Sequence, residues 1–273
     1  MSAVGTVAVV TVVHGRHDHL RHQQRSLARG RRRPEAWVVV AMQDPAVRDV
    51  LAEGQHETGL AADVADLPAD PGALPLAAAR NRGMSRALAR GAEVLVGLDV
   101  DCLAGPDLVA GYGSAVTGAP DRLWAGPVTY LDPPQPGGYP IDDLASLDAP
   151  HGARPAPATG ERVDGGDLRL FWSLSFALSA RAWRRTDGFD EAYVGYGGED
   201  TDFARRAGAA GLRMAWTGDA RAYHQHHPVS RPPGGAPRRH PAQRPPLPRP
   251  VGRVADAGLA RRVLRARPGR PAG

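Results

Sequence analysis

A pair of adjacent glycines, Gly197 and Gly198, is followed by three acids, Glu199, Asp200 and Asp202. Adjacent glycines indicate a turn with unusual backbone angles or a close approach to a ligand. Carboxylates in a first helical turn can cap the free N–H groups, but one acid would satisfy that role. The flanking aromatic residues are Phe189, Tyr193 and Tyr196. We interpret this stretch as an aromatic-walled pocket that presents a carboxylate.

Two further carboxylates, Asp99 and Asp101, follow the apolar residues 94–98. In an extended chain, alternation places both side chains on the same side. They can then face one divalent cation, or a cation and a sugar hydroxyl. Hard oxygen ligands suit Mg²⁺ or Mn²⁺ that also takes phosphate oxygens from a substrate. Asp-X-Asp alone is a weak motif, and two solvated acids in a turn are the alternative.

A histidine cluster, His224, His226 and His227, lies just before the Arg/Pro-rich residues 231–273. If this stretch is extended, His224 and His226 share one face and His227 points away, so either of the first two is expected to complete the cation site. Surface histidines before a proline are an equal alternative. Arg80 and Asn81 begin a helical stretch and could bind phosphate or a base, although a solvated helical face also explains them.

The elements that must position these residues alternate between apolar, β-branched runs and helical runs. This order predicts an α/β protein with a doubly wound, parallel sheet, whose ligands bind beyond the carboxyl ends of the strands. Polar residues collect at those ends: His14, Arg16, Asp44, Asp99 and Asp101. The predicted strands are 6–13, 37–42 and 93–98, and the predicted helices are 19–29, capped by Asp18, and 74–90.

The second half of the chain is predicted to contain a helix over 106–116 and strands over 123–130, 168–179, 212–216 and 220–223. Residues 131–166 are rich in Pro, Gly and Asp, and are predicted to form a functional loop or lid. Residues 231–273 are rich in Arg and Pro and are predicted to be disordered. They are either a basic tail that touches nucleic acid or membrane, or the product of a shifted reading frame.

Composition excludes several classes of protein. All 34 basic residues of the 273 are arginine, and the formal net charge of +5 arises in the C-terminal tail. Cys102 is the only cysteine, so no intramolecular disulfide or cysteine-based zinc site is expected. The apolar run 7–13 is too short to span a bilayer and lacks the flanks of a leader. We therefore expect a cytoplasmic protein without a transmembrane segment or a nucleic-acid partner.

Together, these motifs resemble family 2-type glycosyltransferases with a galactosyltransferase-like C-terminal region. The resemblance rests on Asp99-X-Asp101, on Gly-Phe-Asp-Glu at 188–191, on Gly-Gly-Glu-Asp-X-Asp at 197–202 and on a downstream histidine. Such enzymes have the GT-A nucleotide-diphosphosugar transferase fold, a mostly parallel Rossmann-like sheet with a smaller acceptor-side sheet. The resemblance implies a GT-A domain over 1–230, with a nucleotide-sugar half over 1–105 and an acceptor half over 106–230.

The resemblance also implies an activity: metal-dependent, inverting transfer of a sugar from a nucleotide-diphosphate donor, expected to be a UDP-sugar, to a hydroxyl of a saccharide or other acceptor. Mn²⁺ or Mg²⁺ would be the cofactor. Asp200 would be the general base, and Glu199 would orient the acceptor. Asp101 would hold the cation together with His224 or His226. The remaining substrate-binding residues would be Asp44 at the base, Arg80 and Asn81 near the nucleotide, Asp99 at the ribose or sugar, and Tyr196, Gly197, Gly198 and Asp202.

Two other functions are open on the sequence. A sugar-1-phosphate nucleotidyltransferase would share the kind of fold, but the residues after the first strand, His14-Gly15-Arg16-His17, do not resemble the glycine-rich, basic loop of those enzymes. A non-catalytic sugar- or nucleotide-binding protein, or a decayed glycosyltransferase, is the alternative from another class.

Overall fold

The fold is built on an eight-stranded sheet whose first half alternates strands with helices. The computed structural model describes residues 5–195 and 197–228. The elements of this half are β1 (Val7–Val13), α1 (His17–Arg29), β2 (Ala36–Met42), α2 (Val47–Thr58), β3 (Asp63–Leu67), α3 (Leu76–Ala89) and β4 (Val94–Leu98).

The second half has shorter elements. They are β5 (Cys102–Ala104), α4 (Leu108–Gly118), β6 (Arg122–Ala125), β7 (Val128–Tyr130), a 3₁₀ helix (Ile141–Leu147), β8 (Arg162–Gly166), a 3₁₀ turn (Leu168–Leu170), β9 (Ser175–Ser179), α5 (Ala180–Thr186), α6 (Glu199–Ala209), β10 (Arg213–Thr217) and β11 (Ala222–His224).

The large sheet has the strand order β3-β2-β1-β4-β9-β6-β10-β8. The first four strands of this order are parallel to one another, whereas β9 runs antiparallel to both β4 and β6. Strand β8 pairs antiparallel with β10 at one edge. A second sheet has the order β5-β11-β7. The predicted α/β class, with a mostly parallel sheet and a smaller second sheet, is confirmed.

Helices cover both faces of the large sheet, which explains why β1 and β2 are almost wholly apolar. Alternate residues of β1 point to opposite faces: Val9 packs in one buried cluster with α1, α2 and α4, and Val10 packs in another with α3, α5 and α6. Since both faces of the sheet are closed, polar side chains can reach solvent only at its edges and strand ends. The strand ends are where the candidate site lies.

The predicted single strand over 123–130 is wrong, because the chain divides there between the two sheets. Strand β6 lies in the large sheet and β7 in the small one. The break falls at Gly126, where a Cβ atom would lie 1.8 Å from the backbone oxygen of Ala220. Only glycine allows the two backbones to cross this closely. The predicted strand over 168–179 is likewise shortened to β9, preceded by a 3₁₀ turn.

Three other local expectations need correction. Helix α1 begins at His17, and its N-cap is Arg16 in a left-handed conformation, so Asp18 lies in the first turn and is not the cap. Residues 131–166 contain a 3₁₀ helix and β8 rather than loop alone. Strand β3 was missed because Asp63 and Asp66 interrupt its apolar pattern.

The predicted boundaries at residues 105 and 230 stay predictions, and the Arg/Pro-rich residues 231–273 lie outside the described part of the chain. Within 5–195 and 197–228, no helix is both long and apolar enough to cross a membrane. The cytoplasmic location stays a prediction.

Helix α3 packs against the sheet through Gly83, and this contact gives the first testable prediction. A Cβ atom at Gly83 would lie 2.3 Å from Val10 Cγ1 and 3.2 Å from Val40 Cγ2. Overpacking costs roughly 1–3 kcal/mol, and the better helix propensity of alanine offsets up to about 1 kcal/mol. We expect Gly83→Ala to lower the free energy of unfolding by roughly 1–2 kcal/mol in urea denaturation.

The matched control is Gly137→Ala, since no atom lies within 4 Å of a Cβ at that position. It should leave stability unchanged within error. A Gly83→Ala protein as stable as the control would mean that α3 does not lie this close to the sheet.

Candidate active site at the strand ends

Two neighbouring cavities open at the carboxyl ends of the central strands. The strand-end cavity, about 570 Å³, is lined by residues that include His14, Arg16 and Asp101. The aromatic cavity, about 680 Å³, is lined by residues that include Trp172 and Asp200. Both are lined by Arg80, Asp99, Leu174, His224 and His227. The two cavities therefore meet at a single group of polar residues.

A buried arginine lies at this meeting point. The side chain of Arg80, from α3, is 6% exposed and lies among three acids. Its guanidinium nitrogens lie 3.1 Å from Asp99 Oδ1, 3.6 Å from Glu199 Oε1 and 4.0 Å from Asp200 Oδ1. Asp99 ends β4 and the other two acids begin α6. Arg80 thus joins the two acidic motifs that the sequence singled out.

Burial dominates the pKa values of Asp99 and Glu199. It raises the pKa of Asp99 to about 6, against the opposing effect of Arg80 and with a further contribution from Asp200. Burial also raises the pKa of Glu199, and the charge of Asp200 adds to this rise. One cation shared among three carboxylates therefore compensates only part of the cost of burying them.

The double glycine sets the direction in which the acids of α6 point. Both residues have positive φ, 106° at Gly197 and 93° at Gly198, so the unusual turn predicted from the sequence is confirmed. Glu199 Oε2 accepts a hydrogen bond from the Gly197 N–H at 2.8 Å. Asp200 Oδ2 accepts one from the Ser173 N–H at 2.9 Å. Asp200 Oδ1 is buried, lies 4.0 Å from Arg80 and has no hydrogen-bond partner among the described residues.

Not every residue of this motif faces a cavity. Asp202 lies 3.9 Å from Arg206, one turn along α6, and is not among the residues that line the two cavities. Phe189 is a core residue, 2% exposed and stacked on Phe203 at 4.2 Å, so its expected place in a pocket wall is wrong. Tyr196 lies outside the described residues. Substrate contacts of Tyr196 and Asp202 stay predictions.

A second group, Asp101, His224 and His227, could hold a metal ion. One ligand atom from each residue lies within 4.8 Å of those from the others, and His227 Nε2 is 3.5 Å from Asp101 Oδ2. Asp101 Oδ1 is buried and has no hydrogen-bond partner among the described residues. Burial lowers the pKa of His224 to about 4, so its imidazole is neutral and able to ligate near pH 7.

Sheet pairing explains how these residues meet. Strand β11 runs antiparallel to β5, with His224 opposite Cys102, and the Gln225 N–H donates to Asp101 O at 2.7 Å. The chain then leaves the strand, and His227 rather than His226 returns to the carboxylate. The expectation that His227 points away is therefore wrong, because it assumed an extended chain beyond His224. His226 lines the aromatic cavity and is not in the three-residue group.

The other two sequence-predicted residues contact the backbone of neighbouring loops. Asp44 Oδ2 accepts from the Gly15 N–H at 2.7 Å and bonds His17 Nε2 at 2.9 Å. Burial raises the pKa of Asp44, but the bonds to His17 and Gly15 outweigh it and the net shift is downward. Asn81 Nδ2 donates to Phe189 O at 2.8 Å and Asn81 Oδ1 accepts from Phe189 N at 2.8 Å. Contacts of either residue with a nucleotide stay predictions.

The structure adds residues that the motif search did not select. Arg16 lines the strand-end cavity, 3.8 Å from Asp101. Tyr130 and Trp172 line the aromatic cavity, and the Tyr130 ring stacks on His224 at 4.6 Å. The signal in the sequence was the scarcity of aromatic residues, 5% of the chain, since Trp172 is one of only five tryptophans.

Sequence comparison finds similarity to glycosyltransferases. Residues 167–237 match a family model described as the N-terminal domain of galactosyltransferase. Two validoxylamine A glucosyltransferases, from Streptomyces hygroscopicus subsp. jinggangensis and subsp. limoneus, are each 30% identical over 158 residues, or 51% of this chain. The chain spans about a third of these relatives, 36% and 34% of their lengths.

Solved structures show the same fold. Staphylococcus aureus TarS 1-349 superposes with a TM-score of 0.60 at 14% identity, over 81% of this chain and 60% of its own. GalNAc-T7 with UDP, GalNAc and Mn²⁺ superposes with a TM-score of 0.59 at 17% identity, over 83% of this chain and 45% of its own. The mannosyltransferase PcManGT from Pyrobaculum calidifontis, with GDP-Man and Mn²⁺, superposes with a TM-score of 0.53 at 17% identity, over 81% of this chain and 57% of its own. The predicted GT-A fold and the resemblance to glycosyltransferases of that fold are therefore confirmed.

Removal of Arg80 tests the acidic cluster. In Arg80→Met, Asp99, Glu199 and Asp200 lose their cation, and loss of one partner of a buried pair costs about 3–5 kcal/mol. Without the cation the pKa values of Asp99 and Glu199, which burial already raises, rise further in the folded state, so stability falls as pH rises. We expect the deficit in free energy of unfolding to be larger at pH 7 than at pH 5, as measured by urea denaturation.

The control is Arg82→Met, since Arg82 is an exposed residue of the same helix. It should change stability little at either pH. A deficit of Arg80→Met that is the same at both pH values would show that Arg80 does not compensate the three acids.

Proposed function

We propose that this protein is a metal-dependent glycosyltransferase that moves a sugar, with inversion, from a nucleotide-diphosphate sugar to an acceptor hydroxyl. One observation carries the proposal: Asp200, with a carboxylate oxygen that has no hydrogen-bond partner among the described residues, and a carboxylate-imidazole group around Asp101 line adjoining cavities that meet at Arg80. Transfer to a hydroxyl needs a base at the nucleophile and a positive charge at the leaving diphosphate.

The group of Asp101, His224 and His227 suits a divalent cation. Asp101 Oδ1 is a buried acceptor without a hydrogen-bond partner among the described residues, and mixed oxygen and imidazole donors suit Mn²⁺ better than Mg²⁺. GalNAc-T7 and PcManGT were solved with Mn²⁺, which supports Mn²⁺ here. When bound, the ion would supply positive charge to the diphosphate.

The strand-end cavity is the proposed donor site. Arg16 lines it with its side chain 3.8 Å from Asp101, so the guanidinium would meet the same diphosphate as the ion. Asp44 anchors the loop that carries Arg16, through Gly15 and His17. Neighbours solved with UDP or GDP-Man support a nucleotide-sugar donor. The curated relatives are glucosyltransferases, so UDP-glucose is the first donor to test.

The aromatic cavity is the proposed acceptor site. Asp200 is held through Oδ2 by the Ser173 N–H, which leaves Oδ1 to accept the proton of the attacking hydroxyl. Glu199 is fixed by Gly197 and Arg80 and lines neither cavity, so it would orient the acceptor through Arg80. Asp99, which lines both cavities, would meet the ribose or sugar of the donor. Asn81 would act indirectly on the site, because its side-chain amide holds the backbone of Phe189. A single carboxylate on the acceptor side is what an inverting displacement needs.

Replacement of the proposed base separates an enzyme from a binding protein. With UDP-glucose and Mn²⁺, we expect Asp200→Asn to lower the rate of sugar release by about 10²–10⁴-fold, because the amide cannot take a proton in the transition state. Affinity for UDP with Mn²⁺, measured by calorimetry, should stay within about twofold of the wild type, since a base acts on the transition state.

Asp187→Asn is the control and should retain activity, as this exposed side chain lines neither cavity. If Asp200→Asn lost UDP affinity by the same factor as it lost rate, Asp200 would not be the base. A wild-type protein that binds UDP but turns over no nucleotide sugar would favour the non-catalytic alternative.

A pair of histidine variants tests the metal group. His227→Ala should weaken Mn²⁺ binding in the presence of UDP at least about tenfold, the lower range for loss of a supporting contact at a metal site. His226→Ala should change it little, because that side chain is not in the group. Electron paramagnetic resonance of free Mn²⁺ measures both. If His226→Ala weakened Mn²⁺ binding more than His227→Ala, His226 would be the ligand, as expected from an extended chain.

A further inference from the structure

A buried arginine outside the acidic cluster has no hydrogen-bond partner for its guanidinium among the described residues. Arg154 lies in the connection between β7 and β8 and is 6% exposed. Its guanidinium carbon lies 4.8 Å from the ring centre of Trp172 and 4.8 Å from that of Trp216. Its Nε, Nη1 and Nη2 atoms are shielded from solvent and have no hydrogen-bond partner among the described residues.

Such an arginine is costly to retain. A buried guanidinium is normally paired with a carboxylate or hydrogen-bonded on every side, and Arg154 forms no ion pair with a described residue within 4.0 Å. A hydrophobic residue of similar volume would fill this space without that cost. What arginine supplies here is a flat cation that can stack on two indole faces at once, which lysine cannot do.

The stack connects a cavity wall to the core. Trp216, in β10, is fully buried, whereas Trp172 precedes β9 and lines the aromatic cavity. On its other side, Trp172 meets His151 at 5.5 Å, and His151 meets Tyr130 at 5.5 Å. Tyr130 then stacks on His224 at 4.6 Å. A row of flat side chains thus runs from the core of the sheet to the candidate metal group, and Arg154 joins its two indoles.

We propose that Arg154 is a positioning residue: it holds the Trp172 ring as the wall of the aromatic cavity, against which the C–H face of a saccharide-like acceptor ring stacks. The proposal rests on the acceptor site proposed above. Trp172 is suited to this role because its flat face offers apolar area with little conformational entropy to lose. Hydrolysis of the donor uses water as the acceptor and needs no such wall, so it should be independent of Arg154.

The position of the ring can be followed by ¹⁹F NMR of protein labelled with 5-fluorotryptophan. The chain has five tryptophans, and Trp172→Phe and Trp216→Phe assign the two of interest. In Arg154→Leu the Trp172 resonance should shift and broaden as the ring samples other orientations, while that of Trp37, in β2, stays unchanged. Arg154→Lys keeps the charge but lacks the planar guanidinium, so the Trp172 resonance should change in the same way. This variant serves as the test if Arg154→Leu does not fold.

An unchanged Trp172 resonance in a folded variant would overturn the proposal. The functional arm uses methyl β-D-glucopyranoside as the probe for a saccharide ring. Titration should move the Trp172 resonance of the wild type, and the apparent Kd should rise at least fivefold in Arg154→Leu and Arg154→Lys. Hydrolysis of UDP-glucose with Mn²⁺ should stay within twofold of the wild type.

The outcomes separate this proposal from the enzymatic one. Absence of hydrolysis in the wild type would count against glycosyl transfer, but would leave the NMR result on Trp172 standing. The proposal that a saccharide ring stacks on Trp172 would be overturned in either of two cases: the wild-type Trp172 resonance does not respond to the glucoside, or the variants bind the glucoside as tightly as the wild type. A parallel loss of hydrolysis and glucoside binding would show that Arg154 supports the whole site rather than the wall.

Discussion

The buried contact between Arg80 and three carboxylates is the constraint on which the site depends. Arg80 comes from α3, Asp99 from the end of β4, and Glu199 and Asp200 from the start of α6. Removing these charges from water costs least while they remain together. Electrostatics at the site therefore holds the parallel half of the sheet to the helix that carries the candidate base, and the geometry of the site is coupled to the integrity of the fold.

The sequence predicted the parts of this arrangement that follow from local pattern. Asp99 and Asp101 were found because parallel strands with both faces covered must carry their polar residues at their ends, and Gly197 with Gly198 required an unusual turn. The remaining parts depend on tertiary contacts. The choice of His227 over His226 follows from the path of the chain after β11, and the division between β6 and β7 follows from a backbone crossing at Gly126. Arg154 had no local signal, since its partners lie 18 and 62 residues further along the chain.

The GT-A fold accounts for where ligands can bind, while individual side chains determine the chemistry. Two cavities that share one polar boundary suit a reaction between two bound molecules, because the bond to be broken and the bond to be formed must lie at the same point. The mixture of carboxylate and imidazole beside that boundary is a property of this chain's own loops. The aromatic row through Tyr130 and Trp172 likewise comes from loops between strands, where function can vary without altering the sheet.

The left-handed backbone at Arg16, with φ of 54°, has a consequence for how this protein can change. A non-glycine residue in this region costs roughly 1–2 kcal/mol of folding free energy, and Gln43, at the end of β2, has the same feature with φ of 47°. Glycine at either position would relax the backbone and would be favoured by selection for thermal tolerance alone. The same replacement at Arg16 would remove the guanidinium from the cavity. With Arg16 in the proposed donor site, adaptation to heat and retention of donor affinity would act in opposite directions at this one residue.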